Sequence, residues 1–181
     1  MKIILLRHEK RGIDVGFFSE LTDEGYIDAM NLADKLKKHQ IDVIFSSPFT
    51  RTLQTVYFTS LAINKKVNIE YGLYEYLHNI YFQLLPWYYE TSDLKNENLK
   101  KIINKKYKSV VKKEDFQVLE FENNLEKRII KFFNHLYNYY NDKTILIVTH
   151  KGVINKIKDL YVKKTSMDEE FDMGTFKIYN I

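Results

Sequence analysis

The 181-residue chain has no cysteine. Disulfides and thiolate metal sites are therefore excluded, which fits a reducing compartment. Glycine (6) and proline (2) are scarce, while lysine, asparagine, isoleucine and tyrosine are plentiful. That bias looks like AT-rich coding and carries no chemistry. No apolar run approaches the ~20 residues that span a bilayer. The four apolar residues between Lys2 and Arg7 are too few for a signal-peptide core. A soluble, cytoplasmic protein with no membrane partner is expected. Lysine plus arginine number 28 and aspartate plus glutamate 24, a formal charge of +4. That excess is too mild to call for nucleic acid, which is not an expected partner. The length fits one domain of ~100–200 residues with a core that needs no staples.

Against this background, three short apolar runs stand out. Ile3-Ile4-Leu5-Leu6 ends at Arg7-His8. Val43-Ile44-Phe45 leads through Ser46-Ser47-Pro48 to Arg51. Ile145-Leu146-Ile147-Val148 leads through Thr149 to His150. Short β-branched runs separated by helical patterns read as buried strands of a parallel sheet. In an open α/β sheet the carboxyl ends of the strands share one crevice, where ligands bind. Two histidines and two arginines are thereby gathered around one point, a cluster suited to an anionic phosphate and a nucleophilic imidazole.

The intervening sequence predicts the other elements. Residues 10–19 form a loop. Thr22 caps a helix running to about Lys38, with Asp23 and Glu24 in its first turn and Tyr26, Met30, Ala33 and Leu36 at helical period. A strand at 42–46 is broken by Pro48. A helix over 49–62 and a short strand at 67–70 follow. Residues 94–106 read as an amphipathic helix with Leu99, Ile102 and Ile103 on one face, and 107–119 as a charged linker. Residues 120–140 give the clearest helix, with Leu125, Ile129, Phe133, Leu136 and Tyr140 on one stripe. A strand at 144–149, a helix at 152–162 and a terminal strand at 176–181 complete the chain. The expected architecture is a single α/β domain over residues 1–181. It is a three-layer sandwich whose mostly parallel sheet is flanked by helices, with an inserted helical cap over about 76–119. The aromatics of 74–89 suit cap packing, and the lysines of 95–113 a solvated face.

The chemistry follows from the residue types. Arg7 and Arg51 are planar, permanently charged forks that fit phosphate oxygens. The neutral imidazole of His8 can attack phosphorus and carry the phosphoryl group, and nearby cations would keep it neutral. His150 can donate to the same oxygens, and preorganised donors of this kind dominate phosphoryl-transfer catalysis. His39, His78 and His135 read as surface or core histidines, with no pair at metal-ligand spacing beside a carboxylate.

Five motifs in order resemble the histidine phosphatase superfamily, the phosphoglycerate mutase-like family. They are Leu6-Arg7-His8, Leu21-Thr22-Asp23-Glu24-Gly25, Ser46-Ser47-Pro48 through Arg51 to Gln54-Thr55, Leu73-Tyr74-Glu75, and Val148-Thr149-His150-Lys151-Gly152. The resemblance implies that His8 is the nucleophile and that Arg7, Arg51 and His150 form the phosphate pocket. It implies that Glu75 protonates the leaving alkoxide and then activates water. No metal and no cofactor are expected. Lys151 reads either as an exposed side chain or as one that meets a second acidic group on a substrate, and it is counted with Arg11 among the substrate-binding residues. Glu9 stands where the family usually has glycine, so its carboxylate must point away or pair with Lys10 or Arg11. Arg11 sits at the spacing of the acid phosphatase branch. That branch places aspartate after the second histidine, where this chain has Lys151, so Glu75 is the better proton donor. Tyr76-Leu77-His78-Asn79 replaces the usual glycine-containing continuation.

The implied function is metal-independent hydrolysis of a small-molecule or peptide phosphomonoester, leaving inorganic phosphate in the site. The alternatives are mutase-type phosphoryl transfer, for which the chain is short, and a weakly active or inactive module that binds phosphorylated ligands.

Overall fold

The computed structural model describes residues 1–76, 89–112, 115, 120–162 and 170–181. Five strands make one sheet: β1 (Lys2–Arg7), β2 (Val43–Ser46), β3 (Val67–Ile69), β4 (Thr144–Thr149) and β5 (Phe176–Asn180). Their order is β3-β2-β4-β1-β5. The first four are parallel, and β5 joins the β1 edge antiparallel. Side chains alternate across a strand, so the runs split between two cores. Ile4, Leu6, Ile44, Leu146 and Val148 face helices α1 (Asp23–Leu36), α2 (Thr50–Ala62) and α3 (Glu97–Ile102). Ile3, Leu5, Phe45, Ile145 and Ile147 face α4 (Glu122–Tyr139) and α5 (Lys151–Tyr161). The result is the expected helix–sheet–helix sandwich. Burying a side chain of this size contributes about 1.5–3 kcal/mol.

Helix α1 starts as the sequence predicts. Thr22 Oγ1 accepts the amide of Gly25 at 3.1 Å, and Asp23 and Glu24 occupy the first turn. A Cβ on Gly25 would lie 2.2 Å from the carbonyl oxygen of Lys10. Glycine therefore lets the helix rest on the backbone that follows His8. The buried face is Gly25, Ala29, Leu32, Ala33 and Leu36, while Tyr26 and Met30 are exposed. This corrects the expected stripe. Small residues face α2, and Tyr26 packs edge-on against Phe58 at the surface.

The helix expected over 94–106 forms only from Glu97 to Ile102. Ile103 leaves it to bridge Val67, and Asn104 donates its amide to the Val67 carbonyl at 2.8 Å. The open edge of β3 recruits this backbone away from the helix. Leu94, Leu99 and Ile102 join the core beside α2. Residues 107–112, expected as part of a linker, are instead tied to the buried carboxylate of Glu70. It accepts the Tyr107 hydroxyl (2.6 Å), the Ser109 hydroxyl (2.8 Å) and the amides of Val110 and Val111 (3.0 and 3.1 Å). Most of the predicted aromatic cap, including His78, lies outside the described residues. Among the described residues no helix is long and apolar enough to cross a membrane.

Candidate active site

The parallel register brings three strand ends level. Arg7 pairs with Thr149, and Ser46 with Val148. The next residue of each strand, His8, His150 or Ser47, then enters the same crevice. The ring centroids of His8 and His150 are 5.3 Å apart.

His8 is buried. Its Nδ1 lies 2.8 Å from the carbonyl oxygen of Glu9. A carbonyl oxygen can only accept, so the proton sits on Nδ1 and the Nε2 lone pair is free. Among the described residues no hydrogen bond engages Nε2. Burial first, and then the charge of Arg51, pushes the imidazole pKa down to about 3. The ring is neutral at pH 7. Its backbone is held by Thr55, whose hydroxyl accepts the Glu9 amide (2.9 Å) and donates to the Arg51 carbonyl (2.7 Å). One residue thus fastens the nucleophile candidate's loop to the helix that carries Arg51.

Arg51 lies in the first turn of α2 and is 1% exposed. Its guanidinium stands 4.4 Å from the centroid of the Phe49 ring. NH1 donates to the Gly16 carbonyl at 2.9 Å, which draws the 10–19 loop over it. NH2 faces both Glu75 Oε2 (3.4 Å) and His150 Nδ1 (3.3 Å). Arg7 reaches from β1 and donates NH1 to the Phe171 carbonyl at 2.9 Å. Among the described residues, the buried Nε–H groups of Arg7 and Arg51 have no hydrogen-bond partner.

His150 is fully buried at the N-terminus of α5. Burial, followed by Arg51, holds its pKa well below the ordinary value. Nε2 lies 2.8 Å from Ser47 Oγ, while Nδ1 lies 3.2 Å from Glu75 Oε2. One ring proton cannot serve Ser47 and Glu75 at once. With the proton on Nε2 the ring donates to Ser47 and accepts from Arg51. With it on Nδ1 the ring accepts from Ser47 and donates to Glu75. The proton positions of Ser47, His150 and Glu75 are therefore coupled.

Glu75 follows a 3₁₀ turn, Tyr71–Leu73, and its carboxylate enters the crevice between Arg51 and His150. The predicted residues His8, Arg51, His150 and Glu75 thus converge, with Arg7 at the adjoining strand end. Arg11 and Lys151 have other engagements. Arg11 NH1 donates to the carbonyls of Gly12 (2.8 Å) and Asp14 (2.9 Å), although its charge still helps lower the pKa of His8. Lys151 Nζ lies 3.4 Å from Glu170. Glu9 takes the first of its two expected courses. Among the described residues it has no ion pair. Lys10 pairs instead with Glu24 and Asp28. The Glu9 carboxylate lodges against Gly174, where a Cβ would lie 2.3 Å from both its oxygens. Burial raises the pKa of this carboxylate.

A family model of the histidine phosphatase superfamily (branch 1) matches residues 7–170. The chain belongs to this superfamily. No curated protein sequence matches it. Solved structures share the fold of this histidine phosphatase. The alpha-ribazole phosphatase of Shigella flexneri superposes with a TM-score of 0.67 at 22% identity, covering 100% of this chain and 91% of that one. A mycobacterial glucosyl-3-phosphoglycerate phosphatase, complexed with VO3, gives 0.68 at 17% identity, covering 98% and 91%. The ecdysone phosphate phosphatase of Bombix mori, in complex with tungstate, gives 0.67 at 13%, covering 98% and 88%. Membership places the chain among enzymes of phosphoryl transfer, of the histidine phosphatase hydrolase type.

Three buried charged residues that hold the segment around Glu75 were not among the sequence candidates: Glu70, Glu120 and Arg128. Glu70 also accepts the amide of Gly72 (2.9 Å), which starts the turn leading to Glu75. Arg128 was legible in principle. It lies three residues after Leu125 and four before Phe132, on the apolar stripe of α4, and is 4% exposed. An arginine in such a stripe signals a buried partner, here Glu120, which lies just outside the helix.

Proposed function

We propose that the chain hydrolyses phosphomonoesters through a phosphohistidine on His8. The observation that carries this reading is the tautomer of His8, with Nδ1–H donated to Glu9 and Nε2 free beside Arg51 and His150. Nε2 attacks phosphorus, an N–P bond forms and the bond to the leaving oxygen breaks. Arg7, Arg51 and His150 hold the three equatorial oxygens, and the buried Nε–H donors of the two arginines suit an oxyanion. Glu75 gives its proton to the leaving alkoxide. Its carboxylate then takes a proton from water, which attacks phosphorus, breaks the N–P bond and releases inorganic phosphate. Three structural relatives are named as phosphatases of very different alcohols. That supports a hydrolase and leaves the alcohol open.

The test is phosphate release from a panel of aryl and sugar phosphates by wild type and His8→Ala. Turnover that disappears in His8→Ala supports the proposal. Full activity in that variant refutes it. Exchange of phosphate between positions of a sugar acid without net release would mark a mutase instead. Phosphopeptide binding without any turnover would mark a binding module.

A further inference from the structure

We infer that Arg128, locked by Glu120, is a positioning residue for Glu75. The inference rests on the reading of Glu75 as acid and base. Arg128 lies on α4 and is not itself one of the groups assigned to the phosphate. Its guanidinium is nevertheless committed to the loop that carries Glu75. NH1 donates to the Gly72 carbonyl at 2.5 Å, and NH2 to the carbonyl of Glu75 itself at 3.2 Å. The fork is oriented from the other side by Glu120, which accepts Nε at 2.6 Å and NH2 at 2.9 Å. Both side chains are almost completely buried. A two-pronged pair in this setting fixes direction as well as distance.

The loop begins as a 3₁₀ turn, whose amides bond back to Glu70 and Tyr71. Its carbonyls at Gly72 and Glu75 go to Arg128, and that at Leu73 goes to the Thr149 hydroxyl (2.7 Å), one residue before His150. Arg128 therefore sets where the Glu75 backbone stands relative to His150 and Arg51. Lysine at this position keeps the charge but cannot span two carbonyls and a carboxylate in one plane. A misplacement of about 1 Å in a proton-transfer group costs about a hundredfold in rate.

The experiment is a double-mutant cycle of Arg128→Lys with Glu75→Gln. It is read as kcat/KM over aryl phosphates of graded leaving-group pKa, with vanadate affinity as a second readout. Acid assistance matters most for poor leaving groups. Arg128→Lys should lose about a hundredfold on poor leaving groups and much less on good ones, with vanadate affinity within about threefold of wild type. In the Glu75→Gln background it should lose little more, because the effect runs through Glu75. Equal losses across the leaving groups, or full losses in both backgrounds, overturn the inference. Glu75→Gln with wild-type turnover instead overturns the acid/base reading on which it rests. Should Arg128→Lys fail to fold, Glu120→Gln enters the same cycle. It keeps the guanidinium and removes only its orienting charge, and the same outcomes decide.

Discussion

The Nδ1–H of His8 is donated to the carbonyl of the residue that follows it, Glu9, at 2.8 Å. That short bond fixes the tautomer with no carboxylate partner. A neutral ring therefore presents Nε2 to the crevice. Low polarity and the Arg51 charge keep protons off it.

One consequence is a stability profile. Above pH 6.5 the imidazole is neutral in both folded and unfolded chains. Between 6.5 and about 3 the unfolded chain binds a proton that the folded chain refuses. Stability therefore falls as pH drops through that window, by at most about 1.4 kcal/mol per pH unit for this group. Urea unfolding at stepped pH should show a flatter acid slope for His8→Asn than for wild type. Equal slopes would mean that His8 is not held neutral by the fold.

Glu75 Oε2 lies 3.4 Å from Arg51 and 3.2 Å from His150, the groups assigned to the oxyanion. Glu75→Gln removes a negative charge from that place. Vanadate should bind more tightly to this variant while turnover falls by about two to four orders of magnitude. Calorimetric titration checks the first effect and steady-state kinetics the second. Weaker vanadate binding would show that the carboxylate does not oppose the anion.

Arg51 combines a buried charge with a directional fork. Arg51→Lys keeps the charge and loses the fork. Saturating phosphate should stabilise wild type by about 2.7 kcal/mol at a hundred times its Kd, and this gain should largely vanish in Arg51→Lys at the same phosphate concentration. Thermal denaturation with and without phosphate measures it. An unchanged gain would remove Arg51 from the anion site.

Gly174 has φ +75°, and a Cβ there would strike the Glu9 carboxylate. Gly174→Ala should cost well over the ~1–2 kcal/mol of a left-handed alanine. Combining it with Glu9→Gly should recover the steric part, so the two changes are not additive. Additive losses would mean that the carboxylate moves aside freely.

The strands were the most legible part of the sequence. The bounds of β4 match the expectation, because a run of buried β-branched residues leaves little choice of structure. The Thr22 cap was equally plain, since a hydroxyl followed by two carboxylates meets the free amides of a helix start. The stripe of α1 differs from the expected one because Ala29 packs against a helix more closely than Met30 can. The phase of a helix is set by its neighbour as much as by hydropathy. The four groups that converge were readable because each sits at a strand end or in a recognisable motif. Glu70 and Glu120 were not readable. A carboxylate in sequence looks solvated, and only the fold reveals the amides, hydroxyls and guanidinium that accept its burial. The charges of Lys151 and Arg11 meet Glu170 and nearby carbonyls, contacts that only the fold reveals.

The most direct measurement is a trapped intermediate. Glu75→Gln, which should slow attack by water, is mixed with an aryl phosphate that has a good leaving group. It is then denatured at alkaline pH, digested and analysed by mass spectrometry. An acid-labile phosphoryl group on the peptide containing His8, absent from the Glu75→Gln/His8→Ala double variant, is the expected result. A phosphoryl group on any other residue would contradict the role assigned to the His8 ring. So would phosphate release that persists at full rate once that ring is gone.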